Sequence, residues 1–495
     1  MAKIKIDVER KIGPINPNIY GGFIEHLGRC IYGGIYEEGS PLSDERGFRK
    51  DVLEIMKGLR LPNLRYPGGN FVSGYHWQDG VGPKDKRPRK LEFAWNTVEP
   101  NRFGTDEFIE YCRAINTEPF LCVNLGTGTP EEAAAWVEYC NGTDDSHYAN
   151  MRRANGYNQP HNVKFWGLGN EMGGFWQIGE KNAQDYAKTA REAAKMMRWA
   201  DPSIRLVGCG FLEQVEGPSW NLETIDKLAG FIDYLSLHIY TGNSDYYTNV
   251  AGPVRAQRLI DIFNATITIA MHGKKAARPE IAMDEWNVWY KAFGGCMEEQ
   301  YDLSDALAVA GFLNVMHRNC TTVTLSNLSQ MVNVIAPIFA GPEGLFLQTI
   351  YHSFKLYRDH CQPIALDPFV DSLAYQTVVL HEWSGGGHDS PVETVPYIDV
   401  SATVNEPATE LSLAVVNRHR ENPIVAQISL DSFYPKKVCR VFEINGPQVD
   451  AKNSFSEPDN VKTVEKRFNS AAAEFRYEFP AHSVTLLKLD SKGKS

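Results

Sequence analysis

The chain has 495 residues, more than one typical domain needs, with 43% hydrophobic and 22% charged residues, a balance that excludes extended disorder. Its net charge of −11 comes from dispersed acidic residues with no long basic tract, which excludes nucleic acid and an anionic membrane surface as main partners. No run reaches membrane-spanning length, "MAKIKIDVERK" at the start has no apolar leader, and the nine cysteines include no C-x-x-C pair, so a cytoplasmic protein with reduced thiols is expected.

The opening "KIKIDVE" alternates with period two and predicts a strand that joins a sheet formed elsewhere. Between residues 18 and 360 short apolar strands then alternate with amphipathic helices. "NIYGGFIEH" (18–26) and "LPNLRYPGG" (61–69) flank a helix over "SPLSDERGFRKDVLEIMKGLR", with Phe48, Val52, Met56 and Leu59 on one face and Ser43 as its cap. "PFLCVNLG" (119–126) precedes the helix "TPEEAAAWVEYCNG", where Thr129 and Glu132 form a capping box, proline opens the first turn and glycine ends the last. "VKFWGLGNE" (163–171) leads to the helix "AQDYAKTAREAAKMMRWADP". "IRLVGCG" (204–210), "FIDYLSLHIY" (231–240) and "EIAMDEWN" (280–287) follow, then the helix "DLSDALAVAGFLNVMHRN" and an eighth strand, "TVTLSNL" (322–328).

Eight strands, each followed by a helical stretch, predict a (β/α)8 barrel over residues 18–360. A doubly wound open sheet calls for a phosphate-binding glycine loop after an early strand, and "GLGNEMGG" places Met172 where G-x-G-x-x-G needs its third glycine. Past residue 360 the texture changes to alternating runs divided by turn residues: "TELSLAVVNRH", "IVAQISLDS", "KKVCRVFEING", "EFRYEF" and "SVTLLKLD". Residues 361–495 therefore read as a C-terminal all-β sandwich of jelly-roll-like form, joined by a strand from residues 1–17. The one low-complexity spot is the loop "SGGGHD".

In a β/α barrel the reacting groups stand where strands end, because the loops there converge on one pocket. The predicted strand ends carry Glu25 and His26, Arg65 and Asn70, Asn170 and Glu171, His238 and Tyr240, and Asp284, Glu285, Trp286 and Asn287. Each alone reads as a rim carboxylate, a core histidine or a packing aromatic; the collection reads as a site. Glu171 and Glu285, on strands four and seven, supply the carboxyl pair that glycoside cleavage needs. One protonates the leaving oxygen and must hold its proton, while the other stabilises or attacks the oxocarbenium-like carbon and must stay ionised. Arg65 is positioned to depress one carboxyl, and apolar walls such as Trp166 to raise the other.

Other chemistries lack their residues. There is no H-E-x-x-H, and His26, His76 and His238 stand apart without ligand spacing, so neither a catalytic metal nor a cofactor is expected. No G-x-S-x-G elbow is present for a serine hydrolase.

Five segments carry a resemblance: "IYGGFIEHLGRCIYGGIYEEGSPLSDERGFRKDV", "LRYPGGNFVSGYHWQDGVGP", "KFWGLGNEM", "LSLHIYTGN" and "MDEWNVWY". Through them the chain resembles the α-L-arabinofuranosidases of glycoside hydrolase family fifty-one, and the segments span the whole barrel. The resemblance implies an exo-acting, retaining enzyme that releases terminal α-L-arabinofuranosyl residues from arabino-oligosaccharides, arabinan or arabinoxylan fragments. It assigns Glu171 as general acid/base and Glu285 as nucleophile. Glu25, Arg65, Asn70 and Asn170 would hold the sugar or orient the pair. Tyr240 would contact the nucleophile with His238 in support, Gln348 in "LQTIY" would close the sugar pocket, and Trp95 and Trp289 would wall it. Family members commonly assemble as hexamers, so a homo-oligomer is expected. The competing readings are a carbohydrate-binding protein that has lost catalysis, disfavoured because both glutamates are present, and a clan relative acting on β-linked glucan or xylan.

Overall fold

The computed structural model describes residues 1–211, 217–292, 296–379 and 392–492. Eight parallel strands close on themselves: β1 Gly21–Phe23, β2 Asn63–Tyr66, β3 Glu118–Val123, β4 Phe165–Leu168, β5 Arg205–Gly208, β6 Tyr234–Thr241, β7 Glu280–Val288 and β8 Val323–Ser329. Each pairs with its neighbours in chain order, and β8 pairs with β1 through Asn327 and Gly21. This is the predicted (β/α)8 barrel.

The period of two along the strands decides which side chains fill it. Phe120, Phe165, Val207, Tyr234, Ala282 and Leu325 form a separate buried cluster that plugs the inside. Their chain neighbours, Leu121, Trp166, Leu206, Leu235 and Ile281 among them, belong to the main core between strands and helices. Trp166 accordingly faces outward, edge-on to Trp136 of the helix Pro130–Asn141 with ring centres 5.7 Å apart. It is not a wall of the site, contrary to the sequence expectation.

From Ile364 onward the chain forms two sheets around a second core. One orders Phe369–Asp371, Ala2–Asp7, Ile424–Asp431 and Glu474–Phe479; the other runs from Lys11–Pro14 through Ile364–Leu366, Ile398–Val404, Glu410–Asn417, Ser483–Asp490 and Cys439–Asn445 to Lys462–Phe468. Ile4, Ile6 and Ile428 of the first sheet meet Leu411, Leu413 and Leu487 of the second in that core. The N-terminal strand is central, parallel to Ile424–Asp431 with Ile4 opposite Ile428. The segment Lys11–Pro14 pairs into the opposite sheet, so the first 14 residues supply a strand to each.

Two local expectations change. The helix after β1 starts at Lys50 with Arg49 as its cap, not at Ser43, because residues before it form a turn in which the Asp44 carboxylate takes the N–H groups of Arg46 and Phe48. Thr129 does cap its helix, accepting from the Glu132 N–H, but the Glu132 carboxylate turns to His76 Nδ1 at 3.0 Å instead of closing the box. The "SGGGHD" loop lies outside the described residues.

Candidate active site

The strand ends converge as the sequence predicts. After β4 the chain turns at Gly169, and Glu171 itself takes a left-handed φ of 44°. Gly174 is required here, since a Cβ would stand 2.5 Å from the Trp176 ring. Gly69, after β2, has the same constraint against the Glu25 carboxyl.

On β7 strict alternation would send Asp284 and Glu285 to opposite faces. The pairing with β6 slips instead, with Ser236 opposite Ala282 but His238 opposite Glu285. Such an irregularity re-aims side chains, and both consecutive carboxylates reach Arg65 of β2. Arg65 Nη1 donates to Glu285 Oε2 at 2.9 Å, Nε stands 3.4 Å from Asp284 Oδ2, and Nη2 donates to Asn170 Oδ1 at 2.6 Å. The guanidinium lies 4.5 Å from the Phe23 ring centre. Trp286 then points outward, 5.1 Å from Phe312 between ring centres, and does not face the pocket.

His238 stands between the two glutamates. Its Nδ1 is 2.8 Å from Glu171 Oε1 and 3.5 Å from Glu285 Oε2, and its Nε2 is 3.5 Å from Asp284 Oδ1. The other Glu171 oxygen accepts from Trp176 Nε1 at 2.6 Å. The other Glu285 oxygen accepts from the Tyr240 hydroxyl at 2.7 Å, and that hydroxyl also contacts Ser329 Oγ at 2.8 Å.

The electrostatics follow from burial and these contacts. Burial alone would lower the His238 imidazole, but the Glu285 charge and the contacts to Asp284 and Glu171 raise it to about 10, so it is cationic at neutral pH. Burial works to raise Glu171, yet His238, Trp176 and Arg65 together hold it below the ordinary carboxyl range. Glu171 thus stands lowered, where the sequence reading expected an apolar wall such as Trp166 to raise one carboxyl of the pair; Trp166 lies outside the site and His238 stands beside Glu171 instead. Burial likewise opposes ionisation of Asp284 and is overcome by Arg65, His238 and Ser236, which lower it. Glu25 goes the other way. Burial, then the Glu285 charge, push it up to about 8 against the donors around it.

Glu25 is cradled by the Phe71 N–H at 3.1 Å, Trp95 Nε1 at 3.0 Å and Gln330 Nε2 at 2.9 Å. Asn70 opens the turn Asn70–Gly74 beside it. The Asn170 Nδ2 amide is buried without a hydrogen-bond partner among the described residues, a donor left for a ligand. Trp289 packs edge-on to Tyr240, ring centres 5.3 Å apart. Gln348 is turned to backbone: its Nε2 donates to the Glu299 and Ala336 carbonyls and its Oε1 accepts the Tyr301 N–H, all at 2.8 Å.

Sequence reasoning missed Trp176, Ser329 and Gln330. Trp176 stands five residues past Glu171 in "GGFW", and the other two follow directly on "TVTLSNL" of β8. It also treated His238 as isolated, whereas the fold gathers Glu171, His238 and Glu285 so that one donor atom of each lies within 4.8 Å of the others.

The sequence matches two family descriptions, "Alpha-L-arabinofuranosidase 1 domain" over residues 55–256 and "Alpha-L-arabinofuranosidase C-terminal domain" over residues 284–483. It is 43% identical to α-L-arabinofuranosidase C of Emericella nidulans, covering 98% of this chain and 97% of that protein. The chain belongs to the α-L-arabinofuranosidases of glycoside hydrolase family 51. The match to the intracellular exo-α-(1→5)-L-arabinofuranosidase 1 of Bacillus subtilis is 36% identical over 98% of this chain and 97% of that one. The crystal structure of the arabinose complex of the Thermotoga maritima α-L-arabinofuranosidase superposes with a TM-score of 0.91 at 41% identity, covering 99% of this chain and all of that one. This family 51 chain is thus a glycoside hydrolase, and the candidate site gathers side chains at the carboxyl ends of its barrel strands.

Proposed function

We propose that the enzyme is a retaining, exo-acting α-L-arabinofuranosidase that removes terminal non-reducing arabinofuranosyl residues from arabino-oligosaccharides and from arabinan or arabinoxylan fragments. The observation that carries the retaining chemistry is the approach of the two glutamates, each of which offers an oxygen within 4.8 Å of one from the other. Retaining glycosidases hold their carboxyl pair about 5–5.5 Å apart, whereas inverting ones leave about 6.5–9.5 Å for a water.

In this reading a Glu285 oxygen attacks the anomeric carbon as the bond to the leaving oxygen breaks. Glu171 delivers to that oxygen the proton it shares with His238, and the sugar is left esterified to Glu285. Glu171 then takes a proton from water, the water oxygen bonds to the anomeric carbon, and Glu285 leaves as carboxylate. Tyr240 and Arg65 fix the two Glu285 oxygens. Asn170 Nδ2, Glu25 and Asn70 bind sugar hydroxyls, with Trp95 and Trp289 as walls. The names of the Bacillus subtilis relative and of the arabinose complex support the sugar and the exo action, and the word intracellular in the former supports a cytoplasmic location. We infer a homo-oligomer, a hexamer, from the family habit.

The test is release of nitrophenol from 4-nitrophenyl α-L-arabinofuranoside by wild type, Glu171→Ala and Glu285→Ala, with added azide. Activity in wild type, its loss in both variants and azide rescue giving opposite anomers are expected. Hydrolysis of a β-linked glucan or xylan in place of this substrate would overturn the substrate, and indifference to either glutamate would overturn the roles.

A further inference from the structure

Residues Lys90–Glu92 and Thr97–Glu99 pair as a separate two-stranded antiparallel ribbon, with Leu91 opposite Val98 and Glu92 opposite Thr97. Its faces are inverted. Leu91, Phe93 and Val98 are 56%, 73% and 53% exposed, while Glu92 and Glu99 are buried. Apolar burial, the usual force that holds a strand to its neighbours, therefore does not hold this ribbon down. Its inward carboxylates do. At the base, Glu99 Oε1 accepts the Tyr32 hydroxyl at 2.5 Å and the Asn101 N–H at 2.7 Å, and Oε2 stands 3.0 Å from His26 Nδ1, in the residue next to Glu25. At the tip both Glu92 oxygens are engaged by backbone: Oε1 accepts the Ala94 N–H at 2.6 Å and Oε2 the Trp95 N–H at 2.7 Å.

A carboxyl buried for packing alone is costly, and burial indeed pushes the Glu92 pKa up against these two bonds. What the bonds fix is the backbone from which Trp95 reaches the site, where its Nε1 donates to Glu25 Oε1 at 3.0 Å. Asn96 closes the tip at a left-handed φ of 54°, a conformation asparagine tolerates. The loop of the other tryptophan wall is built alike: Glu299, also buried, accepts the Tyr290 N–H at 3.0 Å and the Ala292 N–H at 3.2 Å directly after Trp289. We propose that Glu92 is a positioning residue for sugar binding. By holding the Ala94 and Trp95 N–H groups it sets the Trp95 indole as a wall of the sugar pocket and keeps Nε1 on Glu25, while touching neither substrate nor reacting atoms itself. Glutamine cannot replace it, since its amide offers one acceptor oxygen and turns an NH2 donor toward the second N–H.

The inference rests on the reading of Trp95 as a wall of the sugar pocket, so the experiment separates the two. Hydrolysis of 4-nitrophenyl α-L-arabinofuranoside is measured for the full-length wild type, Glu92→Gln, Trp95→Ala and the double variant. Hydrogen–deuterium exchange of the peptide covering residues 93–96 is followed in the resting proteins. Glu92→Gln is expected to raise KM about tenfold, the scale of losing a charge-assisted hydrogen bond, with kcat moving less than about threefold. In the Trp95→Ala background the same change adds less than about twofold, because residues that act through one another are not additive. Exchange at the tip speeds up in Glu92→Gln while the barrel strands keep their rates. An unchanged KM in Glu92→Gln beside a raised KM in Trp95→Ala overturns the proposal alone, as do full multiplication of the two effects or unchanged exchange at the tip. An unchanged KM in Trp95→Ala overturns the wall and the proposal with it. Should wild type not hydrolyse the arabinofuranoside, the proposed function falls and the exchange decides whether Glu92 holds the tip. Should Glu92→Gln not fold, Glu92→Asp, one methylene too short to reach both N–H groups, takes its place.

Discussion

Arg65 and Glu285 are joined across the barrel mouth by a buried 2.9 Å bond from Nη1 to Oε2, while the other arm of the same guanidinium fixes Asn170 at 2.6 Å. One planar group thus sets Glu285, the proposed nucleophile, and Asn170, the residue before the proposed acid, in a common frame. A lysine has no fork to divide between them. Arg65→Lys is expected to lower kcat about 100-fold or more, the scale of losing a preorganised donor at a reacting centre, with a lower melting temperature because Asp284 or Glu285 loses its partner. Steady-state kinetics and a thermal melt check this; an unchanged kcat would show that the frame is not needed.

Glu25 gives a pH dependence with a definite sign. Its folded-state value of about 8 stands above the ordinary 4.5, so its contribution to stability is complete below about pH 4.5 and is lost as pH rises toward 8. Each pH unit in that window costs about 1.4 kcal/mol. Glu25→Gln cannot titrate. Melting of wild type and variant from pH 5 to pH 8.5 should therefore show the variant gaining on wild type as pH rises, and a constant gap would contradict the assignment.

Gln348 separates a structural role from a sugar contact. Its amide satisfies three buried backbone groups, at Tyr301, Glu299 and Ala336. Leaving a buried polar group unpaired costs about 1–3 kcal/mol. Gln348→Ala should lower the melting temperature by several degrees while KM for the aryl arabinofuranoside moves less than about threefold. A large rise in KM at unchanged stability would return Gln348 to the sugar pocket.

The N-terminal strand is tested through Ile4, fully buried between Val370 and Ile428. Ile4→Ala should destabilise by about 2–5 kcal/mol, the range for deleting a buried aliphatic side chain, read from denaturant unfolding of the full chain. A loss under 0.5 kcal/mol would mean the strand only decorates the sheet edge.

How much was legible divides along one physical line. Alternation within a strand and capping within a helix are local, so the order of the eight barrel strands and the β texture after residue 360 could be read from the sequence. The two glutamates could be read as well, because a carboxylate at the end of an apolar run conflicts with packing and so advertises another use. What pairs with what is not local. The slip that turns both Asp284 and Glu285 to Arg65 depends on how β7 lies against β6, and the outward face of Trp166 and Trp286 depends on which side the helices cover. His238 meets Glu171 across 67 residues of chain, and Gln330 meets Glu25 across 305. The sequence by itself determined the scaffold and which two carboxyls stand at the strand ends as candidates for the chemistry. Only closure of the barrel decided which side chains hold those carboxyls and in which direction their surroundings shift them, because distances between strand ends exist only once the strands are closed into a ring.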